Sequence, residues 1–204
     1  INLELIILDD ASTDSTYSII QTYNDVRLKY FKNIVNLGVT KCRNILLDLA
    51  NGKYIAFLDS DDLSVTSRIK KQVDFLEKNK SCSAVYTNAN IVSTDNEFVA
   101  IFNNQQPETF NQSYLIRFGN FLNHSSIMYR AKYLENIIQL ENLLDYSIHL
   151  TLANYGGIGY INELLSYYRI NVSGSLTKDY SSIVHEKYWD VIKNGKFINI
   201  NLYD

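Results

Sequence analysis

Residues 54–62 read Tyr54-Ile55-Ala56-Phe57-Leu58-Asp59-Ser60-Asp61-Asp62, an apolar run that ends in three carboxylates within four residues. A short, uninterrupted apolar run is typical of a strand that is buried on both faces of a parallel sheet. Open α/β sheets bind ligands at the carboxyl ends of their strands, so these acids stand where a binding site is expected. Crowded carboxylates repel one another unless a cation joins them, and hard oxygen ligands suit Mg²⁺ or Mn²⁺. The run therefore predicts a divalent-cation site, although Asp61 or Asp62 could instead only cap the helix expected near Val65.

The start of the chain repeats this pattern. The apolar run Leu3–Leu8 ends in the acid pair Asp9-Asp10, and a helix is predicted next, capped by Ser12 or Thr13. Two strands that end in acids at one sheet edge favour a shared binding site over two unrelated helix caps.

A turn and a helix lie between the two acidic strand ends. Residues 36–38 predict the turn, and Arg43 stands early in the helix that follows. A helix start with a guanidinium nearby could contact a diphosphate. An ordinary solvent-exposed helix face is the alternative.

Apolar runs alternate with helix-period segments through the first half of the chain, which predicts an α/β, doubly wound fold. After about residue 88 the pattern changes to a hairpin at Ile91–Phe102, a helix near Phe110–Phe118, and a further helix from Asp145 that stops at Gly156-Gly157. We therefore expect a first half at 1–88, an α+β half at 89–178 and a helical extension at 179–204.

Composition narrows the functional classes. Of 204 residues, 46% are hydrophobic and 20% charged, which is typical of a globular domain, and the formal net charge of -3 argues against a nucleic-acid partner. The two cysteines are not paired in a metal-binding or disulfide spacing, which favours a reducing cytoplasm. No apolar run reaches the roughly 20 residues needed to cross a bilayer, so a soluble chain is expected.

The motifs in this order and spacing resemble the family-2 inverting glycosyltransferases of GT-A fold. The segments that carry the resemblance are Ile6–Asp14, Asn36–Gly38 with Arg43-Asn44, Gly52–Asp62, Arg68, His124–Ser126 with Arg130, Leu144–Tyr146 and Tyr168-Arg169. The resemblance implies a Rossmann-like, mostly parallel sheet flanked by helices, with an α+β half on the acceptor side. It also implies transfer of a sugar from a nucleotide diphosphate sugar to a glycan or lipid-linked glycan.

The resemblance further implies roles for single residues. Asp10 would contact the nucleobase, Arg43 the nucleotide and Asp59 the ribose. Asp61 would bind Mn²⁺ or Mg²⁺, and Asp145 would be the catalytic base. The full implied set is Asp145 for catalysis; Asp9, Asp10, Arg43, Asp59, His124 and Arg169 for substrate; and Asp61, Asp59 and Asn171 for the metal.

In the implied reaction the base and the cation have different roles. Inversion needs a carboxylate that takes the proton of the attacking hydroxyl on the side opposite the departing diphosphate. A dication stabilises the charge that grows on that diphosphate. On its own, Asp145 could also be an ordinary cap at a helix start. His149, one turn further along, is interpreted as an ordinary helix-face histidine.

The chain departs from the family pattern in several places. Leu144 stands where members usually carry Glu, and Asn171 where many carry His, which affects acceptor choice and the metal shell. The family's first strand and helix, roughly 30 residues by the usual βαβ spacing, are not present before Ile1. We expect this to weaken donor binding.

Two other functions stay open. The chain could be a degenerate transferase domain that binds sugars or partners without turnover. A haloacid-dehalogenase-like phosphatase also sets Asp-x-Asp after an apolar strand, but it requires a small hydroxyl residue where this chain has Leu63.

The last segment, Lys187–Leu202, mixes aromatic residues with lysines. It could pack on its own domain, contact a partner, or touch the inner face of a membrane peripherally. The richness in Asn, Ile, Lys and Tyr is typical of AT-rich genomes and favours a bacterial surface-polysaccharide pathway. The sequence does not indicate an oligomeric state.

Overall fold

The structure is a computed structural model, and it describes residues 2–102, 106–134 and 144–170. The predicted metal ligand Asn171 and the predicted extension at 179–204 lie outside these residues. The chain divides into two compact units, Ile1–Lys53 and a second that begins at Tyr54. The proposed donor and acceptor halves, 1–88 and 89–178, stay a functional prediction.

The first unit contains a two-stranded parallel sheet and two helices. Its elements are β1 (Leu5–Asp9), α1 (Thr16–Ile20), β2 (Leu28–Lys32) and α2 (Val39–Leu49). Helix α1 is shorter than predicted and is not capped by Ser12 or Thr13. Its start is held instead by Asp14, whose Oδ1 accepts from the Thr16 backbone N–H at 2.9 Å and from the Thr16 hydroxyl at 2.6 Å.

The second unit contains one larger sheet with three flanking helices among its described residues. Its elements are β3 (Tyr54–Ala56), β4 (Leu63–Ser64), α3 (Arg68–Lys78), β5 (Ala84–Val92), β6 (Phe98–Phe102), β7 (Thr109–Phe110), α4 (Gln112–Phe118), β8 (Met128–Arg130), α5 (Leu144–Gly156) and β9 (Ile158–Arg169). The strand order is β3-β8-β5-β9-β4, with β6 paired to β5 and β7 to β9. The predicted hairpin is the β5–β6 pair, whose turn contains Asn96 at a φ of 65°.

The α/β class is confirmed, but the expectation of a mostly parallel sheet needs correction. Among the described strands, the two-stranded sheet β1–β2 is parallel. In the larger sheet of the second unit only β5–β9 pair in parallel, whereas the five other pairs are antiparallel, so this sheet is mixed. The physical reason is that β8 lies between β3 and β5 and runs opposite to both. A continuous apolar run reports burial on both faces, and an antiparallel strand inside a covered sheet meets that condition as well.

The core of the second unit lies between α3 and the sheet. Buried Leu76, Cys82, Val85 and Met128 form its centre. Helix α5 ends as predicted at the glycine pair, because Gly157 has a φ of 69° and a Cβ on Gly156 would lie 2.4 Å from the Ser81 carbonyl oxygen. This close approach fixes the end of α5 against the chain that leads into β5.

Candidate active site

Asp9 ends β1 and is buried in the first unit. Its Oδ1 accepts from the Ser12 backbone N–H at 2.7 Å, and its Oδ2 accepts from the Tyr30 hydroxyl at 2.6 Å. The Tyr30 hydroxyl, followed by the donors of Ser12, holds the pKa of the Asp9 carboxyl well below its usual range. Both oxygens already have protein donors, so Asp9 fixes the turn after β1. Its predicted contact with substrate stays a prediction.

Asp10 joins the end of β1 to the turn before α2. Its Oδ1 accepts from Asn33 Nδ2 and the Leu37 N–H, and its Oδ2 from the Gly38 N–H, each at 2.8 Å. Burial pushes the pKa of the Asp10 carboxyl upward, but these donors outweigh it and the pKa lies below its usual value. The sequence did not indicate this anchoring role. Arg43 lies half-buried in α2 of the same unit.

The acidic turn follows β3 in the second unit. The Asp62 N–H donates to the Asp59 carbonyl oxygen at 3.0 Å, and the Asp59 N–H donates to Ser125 Oγ at 3.0 Å. Asp59 and Asp61 are half-buried, whereas Asp62 is buried. The turn is therefore tied both to itself and to the 3₁₀ turn at His124–Ser126.

Two arginines brace this turn. Arg169, at the end of β9, donates its Nε to the Asp61 carbonyl oxygen at 2.7 Å and its Nη1 to the Thr94 carbonyl oxygen at 2.8 Å. Its backbone N–H donates to Asp62 Oδ1 at 2.9 Å. Arg68 is buried below the turn, donates to the carbonyl oxygens of Phe57 and Ser125, and has its pKa lowered to about 10 by burial. Arg169 thus shapes the backbone of the turn, and its predicted contact with substrate stays a prediction.

The turn carries surplus negative charge. Burial raises the pKa of the Asp62 carboxyl and outweighs the Ser125 hydroxyl and the Arg169 N–H, which lower it, while the charges of Asp61 and Asp59 add to the rise. Asp62 Oδ2 is buried and has no hydrogen-bond donor among the described residues. A cation beside this turn would reduce the repulsion among the three carboxylates and would give Asp62 Oδ2 a positively charged neighbour.

The acids fit Mn²⁺ or Mg²⁺ as a partial shell. Within the described part of the chain, no three His, Cys, Asp or Glu side chains form a group able to hold a metal ion. Mg²⁺ usually takes one or two carboxylates and completes its shell with water and substrate phosphates. Asp59 and Asp61 supply that number of carboxylates, and their binding of a metal ion stays a prediction.

Asp145 is the second residue of α5 and is half-buried. Its Oδ2 accepts from Asn120 Nδ2 at 3.0 Å, and its Oδ1 accepts from the Tyr146 N–H at 2.9 Å. The Asn120 Oδ1 in turn lies 3.1 Å from His149 Nδ1. The carboxylate of the predicted base therefore accepts a hydrogen bond from a neighbouring amide, which sequence reasoning did not identify.

A continuous series of contacts leads from Asp145 to Phe57, which lies between the end of β3 and the acidic turn. His149 is fully buried, and its ring centroid lies 5.8 Å from that of His124. The His124 ring lies 4.7 Å from the ring of Phe57, two residues before Asp59. His124 is buried and its Nδ1 bonds to the Tyr129 hydroxyl at 3.1 Å, so it packs beneath the turn. Its predicted contact with substrate stays a prediction.

Sequence reasoning assigned no role to three residues that contact predicted site residues or the turn that carries them: Tyr30 in the first unit, and Asn120 and Arg68 in the second. Asn120 follows Gly119, whose φ of 79° turns the chain after α4, but no local pattern indicates that its amide reaches α5. Arg68 belongs to the resemblance, yet its position beneath the turn comes only from tertiary packing.

Comparisons with known proteins identify the family of the chain. Residues 1–138 match the family model described as Glycosyl transferase family 2, a match that ends before Asp145. The chain is 30% identical over 186 residues to the Escherichia coli protein named UDP-Glc:alpha-D-GlcNAc-diphosphoundecaprenol beta-1,3-glucosyltransferase WfaP, covering 91% of this chain and 72% of that protein. WfgD of Escherichia coli, whose name gives the same activity, is 28% identical over 97% of this chain and 76% of its own length.

Solved structures show the same fold. The crystal structure of residues 1–349 of S. aureus TarS superposes with a TM-score of 0.68 at 20% identity, over 96% of this chain. The chain spans 57% of that structure's length. No helix in the described ranges is long and apolar enough to cross a membrane. From the family match and the Escherichia coli relatives, the chain belongs to glycosyl transferase family 2, with the GT-A fold.

Proposed function

We propose that this domain transfers a hexose or N-acetylhexosamine from a UDP-linked donor to a hydroxyl of a glycan or lipid-linked glycan, with inversion and with help from Mn²⁺ or Mg²⁺. One observation supports the proposal most strongly. The contact series through Asn120, His149 and His124 connects Asp145 to Phe57, next to the acidic turn. A base and a donor-binding turn within one packed unit are what such a transfer needs.

Each residue has a chemical task in the proposed reaction. Asp145 takes the proton of the attacking hydroxyl as a general base. A divalent ion held by Asp61 and Asp59 would supply positive charge for the departing diphosphate. Arg169 and Arg68 keep the backbone of the acidic turn in place through its carbonyl oxygens. Asp10 holds the turn before α2 on the proposed nucleotide side.

The relatives suggest the substrate class. The two Escherichia coli proteins are named for a UDP-Glc donor and a GlcNAc-diphosphoundecaprenol acceptor. TuaG of Bacillus subtilis, 38% identical over 94 residues, is named for putative teichuronic acid biosynthesis. We therefore propose a lipid-linked acceptor in bacterial surface-polysaccharide synthesis, reached from the cytoplasm with peripheral contact at the inner face of the membrane.

A donor screen tests the proposal. Purified protein is incubated with a panel of nucleotide sugars, Mn²⁺ and a GlcNAc-diphospho-lipid acceptor, and released nucleoside diphosphate is measured. We expect release from a UDP-sugar, loss of release with EDTA, recovery with added Mn²⁺, and no release by Asp61→Asn. The matched control is Asp48→Asn, which removes an exposed acid from α2 and should keep full turnover.

The alternatives give different results. A degenerate domain would bind UDP-sugars without turnover under all of these conditions, and that result would overturn the catalytic proposal. Release of inorganic phosphate from simple esters would indicate the phosphatase, an alternative that the family match already disfavours.

A further inference from the structure

Asn120 connects two residues on one face of α5. Asp145 and His149 are four residues apart, so they lie one helical turn from each other on the same face. The Asn120 amide lies between them, with Nδ2 3.0 Å from Asp145 Oδ2 and Oδ1 3.1 Å from His149 Nδ1. The Leu122 backbone N–H also donates to Asn120 Oδ1, at 3.4 Å.

These partners determine which way the amide faces. An ionised carboxylate only accepts hydrogen bonds, so the NH₂ group of Asn120 must face Asp145. Its oxygen then faces His149, whose Nδ1 carries the proton and donates it. A flipped amide would place two acceptors together at Asp145. The Asp145 carboxylate, which needs a donor, and the Leu122 N–H, which needs an acceptor, therefore fix the orientation of Asn120 from both sides.

The loop that carries Asn120 is itself anchored. The Gly119 N–H donates to the Leu115 carbonyl oxygen at 2.8 Å, and the hydroxyl of Tyr146 donates to the same oxygen at 3.1 Å. Tyr146 follows Asp145 directly in α5. The start of α5 and the loop after α4 therefore share one hydrogen-bond acceptor, the Leu115 carbonyl oxygen.

We propose that Asn120 is a positioning residue that holds the Asp145 carboxylate in the orientation needed to accept the acceptor's proton, an inference that rests on the proposed function. A side chain at a helix start otherwise samples several rotamers. A donor on Oδ2 selects one of them. Because a misplacement of about 1 Å can cost on the order of 100-fold in rate, this contact bears on turnover more than on substrate binding.

The isosteric change Asn120→Asp tests the inference. It keeps an acceptor oxygen for His149 and the Leu122 N–H, but it removes the donor to Asp145 and sets two carboxylates against each other. We expect kcat to fall on the order of 100-fold, with the KM for the donor within about twofold and the circular dichroism spectrum unchanged. A purely structural residue would change the folded fraction but not the ratio of kcat to KM among folded molecules.

A reciprocal exchange and a control complete the experiment. In Asn120→Asp combined with Asp145→Asn the hydrogen bond forms with its direction reversed, so the melting temperature should return to the wild-type value while turnover stays absent. The control Asn111→Asp keeps the cap that Asn111 provides to the Tyr114 N–H, and it should retain wild-type kcat.

The outcomes separate the two proposals. If Asp145→Asn itself leaves turnover intact, the proposed function fails. If Asp145→Asn abolishes turnover while Asn120→Asp keeps kcat within twofold, the positioning role alone is overturned.

Discussion

Several aspartate side chains of this protein accept hydrogen bonds from donor groups of other residues. Asp9 and Asp10 accept from a hydroxyl, an amide and backbone N–H groups, and Asp145 accepts from Asn120. Hydrogen bonds to an ionised acceptor are roughly twice as strong as neutral ones, so each carboxylate has a fixed orientation. Substitutions of the donors therefore test these sites as well as substitutions of the acids.

The Tyr30–Asp9 pair predicts a pH-dependent stability. Tyr30→Phe removes the 2.6 Å hydrogen bond to buried Asp9, so its melting temperature should lie below that of the wild type at neutral pH. The pKa of Asp9 is depressed in the folded state, so this stabilisation is complete above the unfolded value, about 3.9. It is lost as the pH falls further.

Thermal denaturation at stepped pH measures this effect. The difference between wild type and Tyr30→Phe should be constant from about pH 8 to 5 and narrow below about pH 4. Tyr23→Phe, at an exposed position, should show no difference. A gap that widens in acid would contradict the assignment of the Asp9 pKa to Tyr30.

Ala11 predicts an unusual stabilising substitution. Its φ of 64° lies in the left-handed region, which costs a residue with a Cβ roughly 1–2 kcal/mol. Ala11→Gly removes that strain but adds about 0.4–1 kcal/mol of chain entropy in the unfolded state. We expect a net gain of up to about 1 kcal/mol in the free energy of unfolding, measured by urea denaturation.

The control for this prediction is Ala50→Gly. Ala50 follows α2 with an ordinary extended backbone, at φ -76° and ψ 129°. Glycine there brings only the entropy cost and should destabilise by about 0.5–1 kcal/mol. Equal losses for both variants would show that the backbone at Ala11 is not strained.

Helix α3 depends on a buried arginine from β8. Arg130 donates to the carbonyl oxygens of Leu76, Asn79 and Cys82, at 2.5, 3.2 and 2.7 Å. These lie at the end of α3 and just beyond it, where carbonyl groups lack helical partners. Arg130 therefore joins the end of the helix to the sheet, so a residue within the family resemblance has a structural task.

Arg130→Met should destabilise the protein by about 2–4 kcal/mol, because it leaves buried carbonyl groups without their charged donor. Arg117→Met, on the exposed side of α4, should change stability by less than about 0.5 kcal/mol. Chemical denaturation of both variants measures the difference. Similar values for the two would show that Arg130 does not hold α3.

The element pattern could be predicted where it depends on local chemistry. Apolar runs located β1 and β3, and the glycine pair at 156 and 157 located the end of α5. Strand direction could not be predicted, because antiparallel β8 is as fully buried as the start of β5 beside it. The extent of β9 could not be predicted either, because it depends on the long pairing of Ile158–Arg169 with β5.

Some residues of the candidate site could likewise be predicted from the sequence, and others could not. Asp59 and Asp61 could be named because acids after an apolar strand have recognisable spacing, whereas Asp145 was named only through the family resemblance. Asn120 could not, since its contact with Asp145 joins positions 25 residues apart through the packing of α4 against α5. The second unit by itself contains all three acids, so the central claim concerns that unit.

The anomeric configuration of the product tests the account most directly. Product formed from a donor of known configuration is examined by NMR, with wild-type protein and with Asp145→Asn. If Asp145 acts as a base opposite the departing diphosphate, the wild type gives only the inverted anomer and Asp145→Asn gives no product. A product that keeps the donor's configuration, or normal turnover by Asp145→Asn, would contradict the account.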